Sequence, residues 1–151
     1  MILRKSFITF VSFAAGIGVG GYLFAQTQPR SLLALDQCNG NCYQKKELAG
    51  LIASVGIQHL PSFIPRMVAE SDKCVAIVHP KPESKYHYVM FPKHDVKNIG
   101  ELTTEDEPYV MGCFALIPQL VKHSGTRDYR ILTNGPGFQD IAYLHFHFMG
   151  K

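Results

Sequence analysis

The sequence predicts an α+β domain, with a mostly antiparallel sheet and one long helix, preceded by an N-terminal membrane helix. Three observations carry this. No charged residue occurs from Ser6 to Pro29, directly behind Arg4 and Lys5. Beyond Arg66, short β-rich runs are separated by proline or glycine, the pattern of a sheet made of short strands. Between the second and third of these runs lies a longer stretch opened by Thr104-x-x-Glu107, which fits a helix capping box, and closed by Gly125. Strands with one or two helices in this order form an α+β layer structure.

The apolar core of the first segment, Phe7 to Ala25, is 19 residues long. At about 1.5 Å per helical residue this matches the bilayer core. The stretch is apolar on all faces, which separates it from an ordinary amphipathic core helix. A cleaved signal peptide and an uncleaved anchor remain, within residues 1–27. The apolar region is long for a signal peptide, and with Leu23 two residues before Ala25 no clear small-x-small cleavage site appears. Both features favour the anchor. Positive charge ahead of the span predicts a cytoplasmic N-terminus and a domain outside the cytoplasm, on the periplasmic side in a bacterium. Gly16-x-x-x-Gly20 permits close helix packing, but no strand-then-helix pattern surrounds these glycines, so they are not a dinucleotide loop.

Residues 28–65 read as a linker with a short helix. Leu48, Leu51, Ile52 and Val55 recur at helical spacing, and Pro61 and Pro65 then break the chain. Residues 66–151 form the main domain. Cys74 to Val78, Tyr86 to Phe91, Tyr129 to Thr133 and Ile141 to Met149 are the expected strands. Pro118 falls inside the long helix, where it kinks the helix or marks an existing interruption.

The composition is globular, 46% hydrophobic with a formal charge of +3, and basic residues are scattered. Nucleic acid is therefore not an expected partner. Of four cysteines, Cys38 and Cys42 flank Asn39, Gly40 and Asn41, a turn-like tripeptide. An exported domain favours a local disulfide there. A metal site with His59 as third ligand is the alternative, but no fourth ligand is placed by spacing. Cys74 and Cys113, in apolar surroundings, read as inert core thiols.

The chemistry concentrates near the C-terminus. On an extended strand Tyr143, His145, His147 and Met149 share one face, while Leu144, Phe146 and Phe148 form an apolar opposite face. The two imidazoles then lie about 6–7 Å apart along the strand, able to converge on one phosphate-sized group. Upstream, Asn134 to Asp140 is a glycine-rich loop whose N–H groups suit an anion. Asn134 and Gln139 add neutral donors. Imidazoles and amides without a carboxylate cluster describe a phosphate site rather than a divalent metal site. No metal or cofactor is expected.

The run Gln139-Asp-Ile-Ala-Tyr-Leu-His-Phe-His-Phe-Met149 resembles the signature of the histidine triad (HIT) nucleotide-binding proteins. Asp72-Lys-Cys-Val-Ala-Ile-Val78 resembles an early strand of that family. His87-Tyr-Val-Met-Phe-Pro-Lys93 resembles the strand bearing a further site histidine, and Tyr129-Arg-Ile-Leu-Thr-Asn134 the strand before the phosphate loop. The resemblance implies a HIT-like fold, a homodimer joined edge to edge, and a mechanism. His145 would attack the α-phosphorus of a nucleotide derivative, and water would then release the nucleoside monophosphate. His147, His87 and Gln139 would hold phosphate oxygens or the leaving group, and Asn134 would support the loop. Two positions depart from the pattern. Tyr143 replaces the first triad histidine, keeping only the backbone carbonyl that orients His145 and at most one hydroxyl donor. His79 stands where an acidic residue usually meets the ribose hydroxyls. Lys93 and His94 either contact polyphosphate or form an ordinary polar strand end, the second being the favoured reading.

The leading expectation is a membrane-tethered nucleotidyl hydrolase or transferase acting on phosphoramidates or dinucleoside polyphosphates. A non-catalytic nucleotide or phosphate binder, and a thiol or metal protein built on Cys38 and Cys42, are the competing readings.

Overall fold

The computed structural model describes residues 2–35, 38 and 42–151, with side chains from residue 5 onward. Asn39, Gly40 and Asn41, the expected turn, lie outside the described residues. Helix α1 (Ile2–Phe24) has its described side chains largely exposed and is long and apolar enough to cross a membrane. Helix α2 (Lys45–His59) realises the spacing read from Leu48 to Val55, beginning two residues after Tyr43 and running to the Pro61 break.

The sheet has five strands in the order β1-β2-β3-β5-β4, all pairs antiparallel. They are β1 (Met67–Glu70), β2 (Cys74–Val78), β3 (Tyr86–Pro92), β4 (Tyr129–Leu132) and β5 (Phe146–Gly150). Alternation along the strands gives the sheet two differently covered faces. On one, Ala76, Tyr88, Met90, Phe146 and Phe148 bury against Cys113, Leu116 and Leu120 of the helical segment between β3 and β4. On the other, Val75, Val89, Phe91 and Tyr143 pack with Ile57 of α2. The histidines of interest lie on this second face, where α2 covers only part of the sheet.

The single long helix is in fact two, α3 (Glu107–Phe114) and α4 (Ile117–Ser124). Pro118 sits in the first turn of α4, where its missing N–H is harmless; within a continuous helix it would have to bond Phe114. The capping box forms one residue earlier than expected. Thr103 donates its N–H and hydroxyl to Asp106, at 2.7 and 2.8 Å, ahead of a short 3-10 turn. Gly125, at φ 71°, ends α4 in the left-handed conformation that glycine tolerates best.

Cys74 and Cys113 are not free thiols. They form a disulfide between β2 and α3, both fully buried, with Cα atoms 5.1 Å apart. The 39-residue separation hid this pairing, because only the packing of α3 on the sheet brings the two together. Cys38 and Cys42 also form a disulfide, the favoured local pairing, so their sulfurs are not zinc ligands with His59. The His59 ring instead packs on Tyr22, with centroids 4.7 Å apart.

Candidate active site

The last strand begins later than the pattern suggested. Residues 141–145 leave the ladder because their amides bond elsewhere: Ala142 N–H to Lys46 O at 3.0 Å, and Leu144 N–H to Val96 O at 2.6 Å. This departure creates the key geometry. The Tyr143 carbonyl turns toward the ring of His145 and lies 2.7 Å from its Nδ1. A carbonyl can only accept, so Nδ1 carries the proton and Nε2 holds the lone pair.

A second chain of hydrogen bonds fixes the neighbouring rings. Glu83 N–H donates to His87 Nδ1 at 3.1 Å. His87 must then be protonated at Nε2, which lies 2.9 Å from His147 Nδ1. The proton of His147 therefore sits on Nε2. That atom is buried and has no partner among the described residues, and such a donor calls for an acceptor from outside the chain. His145 thus presents a lone pair and His147 an N–H, with ring centroids 4.9 Å apart.

Burial lowers the pKa of His145, with the Tyr143 hydrogen bond opposing it. Burial, then the nearby rings of His145, His87 and His79, bring His147 down to about 4. His87 is lowered by burial and by His79. All three are neutral near pH 7, as the hydrogen-bond pattern requires.

A cavity of about 380 Å³ opens at these rings, lined by His79, Asn134, Asp140, His145 and His147 together with Ile77, Val89 and Phe91. His87 stands behind His147, and His79 stacks on His87 at 4.0 Å with planes 4° apart. His79 is half-buried, and its Nδ1 lies 2.6 Å from Lys81 O. Of the seven expected site residues, the structure therefore brings His79, Asn134, His145 and His147 to one cavity and His87 to its rear wall.

Gln139 and Tyr143 do not line it. The amide of Gln139 points back to Tyr143 O at 3.4 Å. The side chain of Tyr143 is fully buried, with its hydroxyl 2.6 Å from Pro92 O and 3.1 Å from His94 O. Burial, with the Asp95 charge adding, pushes that hydroxyl well above its ordinary pKa, so it stays a donor. Two loop amides are also spent internally, Phe138 N–H and Gln139 N–H on Gly135 O. Tyr143→Phe tests this placement. It should lower stability by about 1–3 kcal/mol, because buried carbonyls lose their donor. Turnover should stay within a few-fold, because the Tyr143 carbonyl survives. Melting curves and steady-state rates read the two effects, and a collapse of turnover at wild-type stability would contradict it.

The ring nitrogens of His79, His87 and His147 lie within 4.8 Å of one another, close enough to face one cation. The proton shared by His87 and His147 occupies the space between two of them. Lys93 and His94 belong elsewhere, on Glu70 at 2.6 Å and Asp106 at 3.3 Å respectively, the polar strand end expected. Sequence reasoning missed the Glu83 amide. Its role arises from a loop closing over His87, which no side-chain pattern reveals.

An antiparallel sheet here presents paired, tautomer-fixed histidines beside a short loop. The chain belongs to the HIT domain family, whose profile matches residues 64–151. It is 26% identical over 85 residues to a bifunctional adenosine 5'-phosphosulfate phosphorylase/adenylylsulfatase of Arabidopsis thaliana, covering 54% of this chain and 58% of that protein. The chain thus spans little more than half the length of that relative. Among solved structures it resembles a HIT family hydrolase from Clostridium thermocellum, with TM-score 0.58, 20% identity, and 64% and 89% of the two chains covered. A histidine triad protein from Clostridium difficile gives 0.56 at 22% identity, with the same coverage.

Proposed function

We propose that the protein is a nucleotidyl hydrolase or transferase that cleaves at the α-phosphate of a nucleoside phosphoramidate or dinucleoside polyphosphate. The observation that carries this reading is the hydrogen bond from His145 Nδ1 to the Tyr143 carbonyl, which leaves Nε2 as a neutral nucleophile in a cavity. In the first step Nε2 attacks phosphorus, an N–P bond forms, and the bond to the leaving group breaks. In the second, water attacks the same phosphorus, the N–P bond breaks, and the nucleoside monophosphate departs. His147 Nε2–H stabilises the phosphoryl charge as a neutral, pre-placed donor. The apolar wall of Ile77, Val89 and Phe91 continues into a second hollow lined by Ala53, Ile57 and Ile64, an apolar surface on which a base would pack. His79, on the wall of the same cavity, would offer the ribose one hydrogen bond. The catalysed sulfur and phosphorus chemistry in the name of the Arabidopsis relative supports the reaction class.

Incubation with adenosine phosphoramidate should release AMP; no release above a His145→Ala control, with AMP still bound, would leave a binding protein instead. The pH profile is a further check. His145 and His147 titrate below the ordinary histidine value of 6.5, His147 at about 4. Activity should therefore be flat from about pH 6.5 upward through neutrality and fall only on the acid side. Stability follows the same sign. It is fullest above 6.5 and declines toward pH 4, since the unfolded histidines take up protons first. A rate that rises steeply between pH 7 and 8 would contradict neutral rings.

We further infer that α1 is an uncleaved anchor with the domain outside the cytoplasm. The buried Cys74–Cys113 disulfide supports this, because such bonds persist in oxidising compartments. Protection of both cysteines from thiol labelling in cells, and protease access from outside, would test it. The outer edge of β4 is open in the chain as described, which supports a homodimer; a monomeric mass in detergent would refute that.

A further inference from the structure

We propose that Arg30 is a positioning residue for the His145 site, acting through the Ala142–Tyr143 peptide from outside the family domain. The inference rests on His145 being the nucleophile. The family match begins at residue 64, whereas Arg30 lies in the segment that leaves α1. Its side chain is only 2% exposed.

One guanidinium nitrogen, Nη1, donates to Ala142 O at 2.6 Å. The other, Nη2, donates to Asp95 Oδ1 at 2.5 Å, and Gln28 N–H donates to Asp95 Oδ2 at 2.8 Å. Glu47 Oε2 stands 3.6 Å from Nη1. The opposite side of the same residue is also held, by Ala142 N–H on Lys46 O. Both carriers of these bonds, the segment between α1 and α2 and α2 itself, come from before the family domain. Helix α2 approaches this closely only because residue 50 is glycine: a Cβ there would collide with the Ala142 carbonyl.

Next along the chain is the carbonyl that fixes the tautomer of His145, followed by Leu144, tied to Val96 O. The peptide planes on either side of Tyr143 are thus pinned, and Arg30 supplies the charged pin. Burial raises the pKa of Asp95 in spite of the Gln28 N–H and of Arg30, so the fold meets a desolvation cost to keep this pair. A well-packed apolar pair would hold two segments together as firmly. A guanidinium does what an apolar pair does not, aiming two directed donors at a carbonyl and a carboxylate at once.

The test uses full-length protein in detergent micelles with 15N-labelled histidine, comparing wild type, Arg30→Lys and Arg30→Ala. The tautomer of His145 is read by NMR without substrate, and turnover of adenosine phosphoramidate is measured separately. In the variants the His145 Nδ1–H signal should broaden or mix with the Nε2–H tautomer. The kcat should fall about 10–100-fold, with KM within about twofold. Lysine should be intermediate, since one ammonium cannot serve both acceptors in the same geometry. An unchanged His145 tautomer in a folded variant would overturn the proposal; if Arg30→Ala fails to fold, Arg30→Lys decides. Should the wild type release no AMP, the nucleophile reading fails alone, and the NMR comparison still decides whether Arg30 sets this tautomer.

Discussion

His145→Ala should reduce AMP release from adenosine phosphoramidate by about 10⁴-fold or more, the scale of losing a covalent nucleophile. The size follows from how little the neighbouring rings can substitute. His147 has its Nδ1 engaged by His87 and its proton on Nε2, so it offers no lone pair to phosphorus. His87 is turned away behind it, with both nitrogens occupied. His79 stacks on His87 rather than beside His145. His147→Ala removes a hydrogen-bond donor and should lose much less. Rates measured with each variant, alongside melting curves that show the fold intact, check the ranking. A His145→Ala enzyme within tenfold of wild type would place the nucleophile elsewhere.

Replacing Cys74 and Cys113 together by alanine should lower stability by about 4 kcal/mol, from the entropy that a 39-residue loop regains when unfolded. Against a typical total of about 5–15 kcal/mol this is severe. The bond joins β2, which bears the floor of the site, to α3 on the opposite side of the sheet. Both sulfurs are fully buried, so reductant should act only after partial opening. Alanine avoids adding the buried hydroxyls that serine would leave unpaired. Denaturant titration of the variant, and of wild type with and without reductant, reads the loss. Equal midpoints in all three samples would contradict it.

Much of the fold was legible because apolar alternation and proline breaks are local. The runs Cys74 to Val78 and Tyr86 to Phe91 became β2 and β3 almost unchanged. The apolar partner face of Leu144, Phe146 and Phe148 did become core. Features made by contacts distant in sequence were not legible. Val96 and Lys46 take the amides that would have extended β5 back to Ile141. Cys113 meets Cys74 only through packing. Arg30 is a lone charge in the linker until Asp95 and Ala142 surround it.

For the site, residue type and spacing pointed to His145, His147 and Asn134, and the family resemblance to His79; all four share the cavity. Tyr143 was harder. Its place in the motif suggested contact with substrate, but its hydroxyl is drawn into the core by two carbonyls while its backbone carbonyl faces the ring of His145. Side-chain identity at that position therefore bears on stability, and backbone geometry bears on chemistry.

The most direct test of the central claim is a rapid quench of the wild-type protein with adenosine phosphoramidate, followed by digestion and mass mapping. An adenylyl group on His145, absent from His145→Ala, is the predicted result. AMP release with no adduct, or with the adduct on His147 or His87, would contradict it.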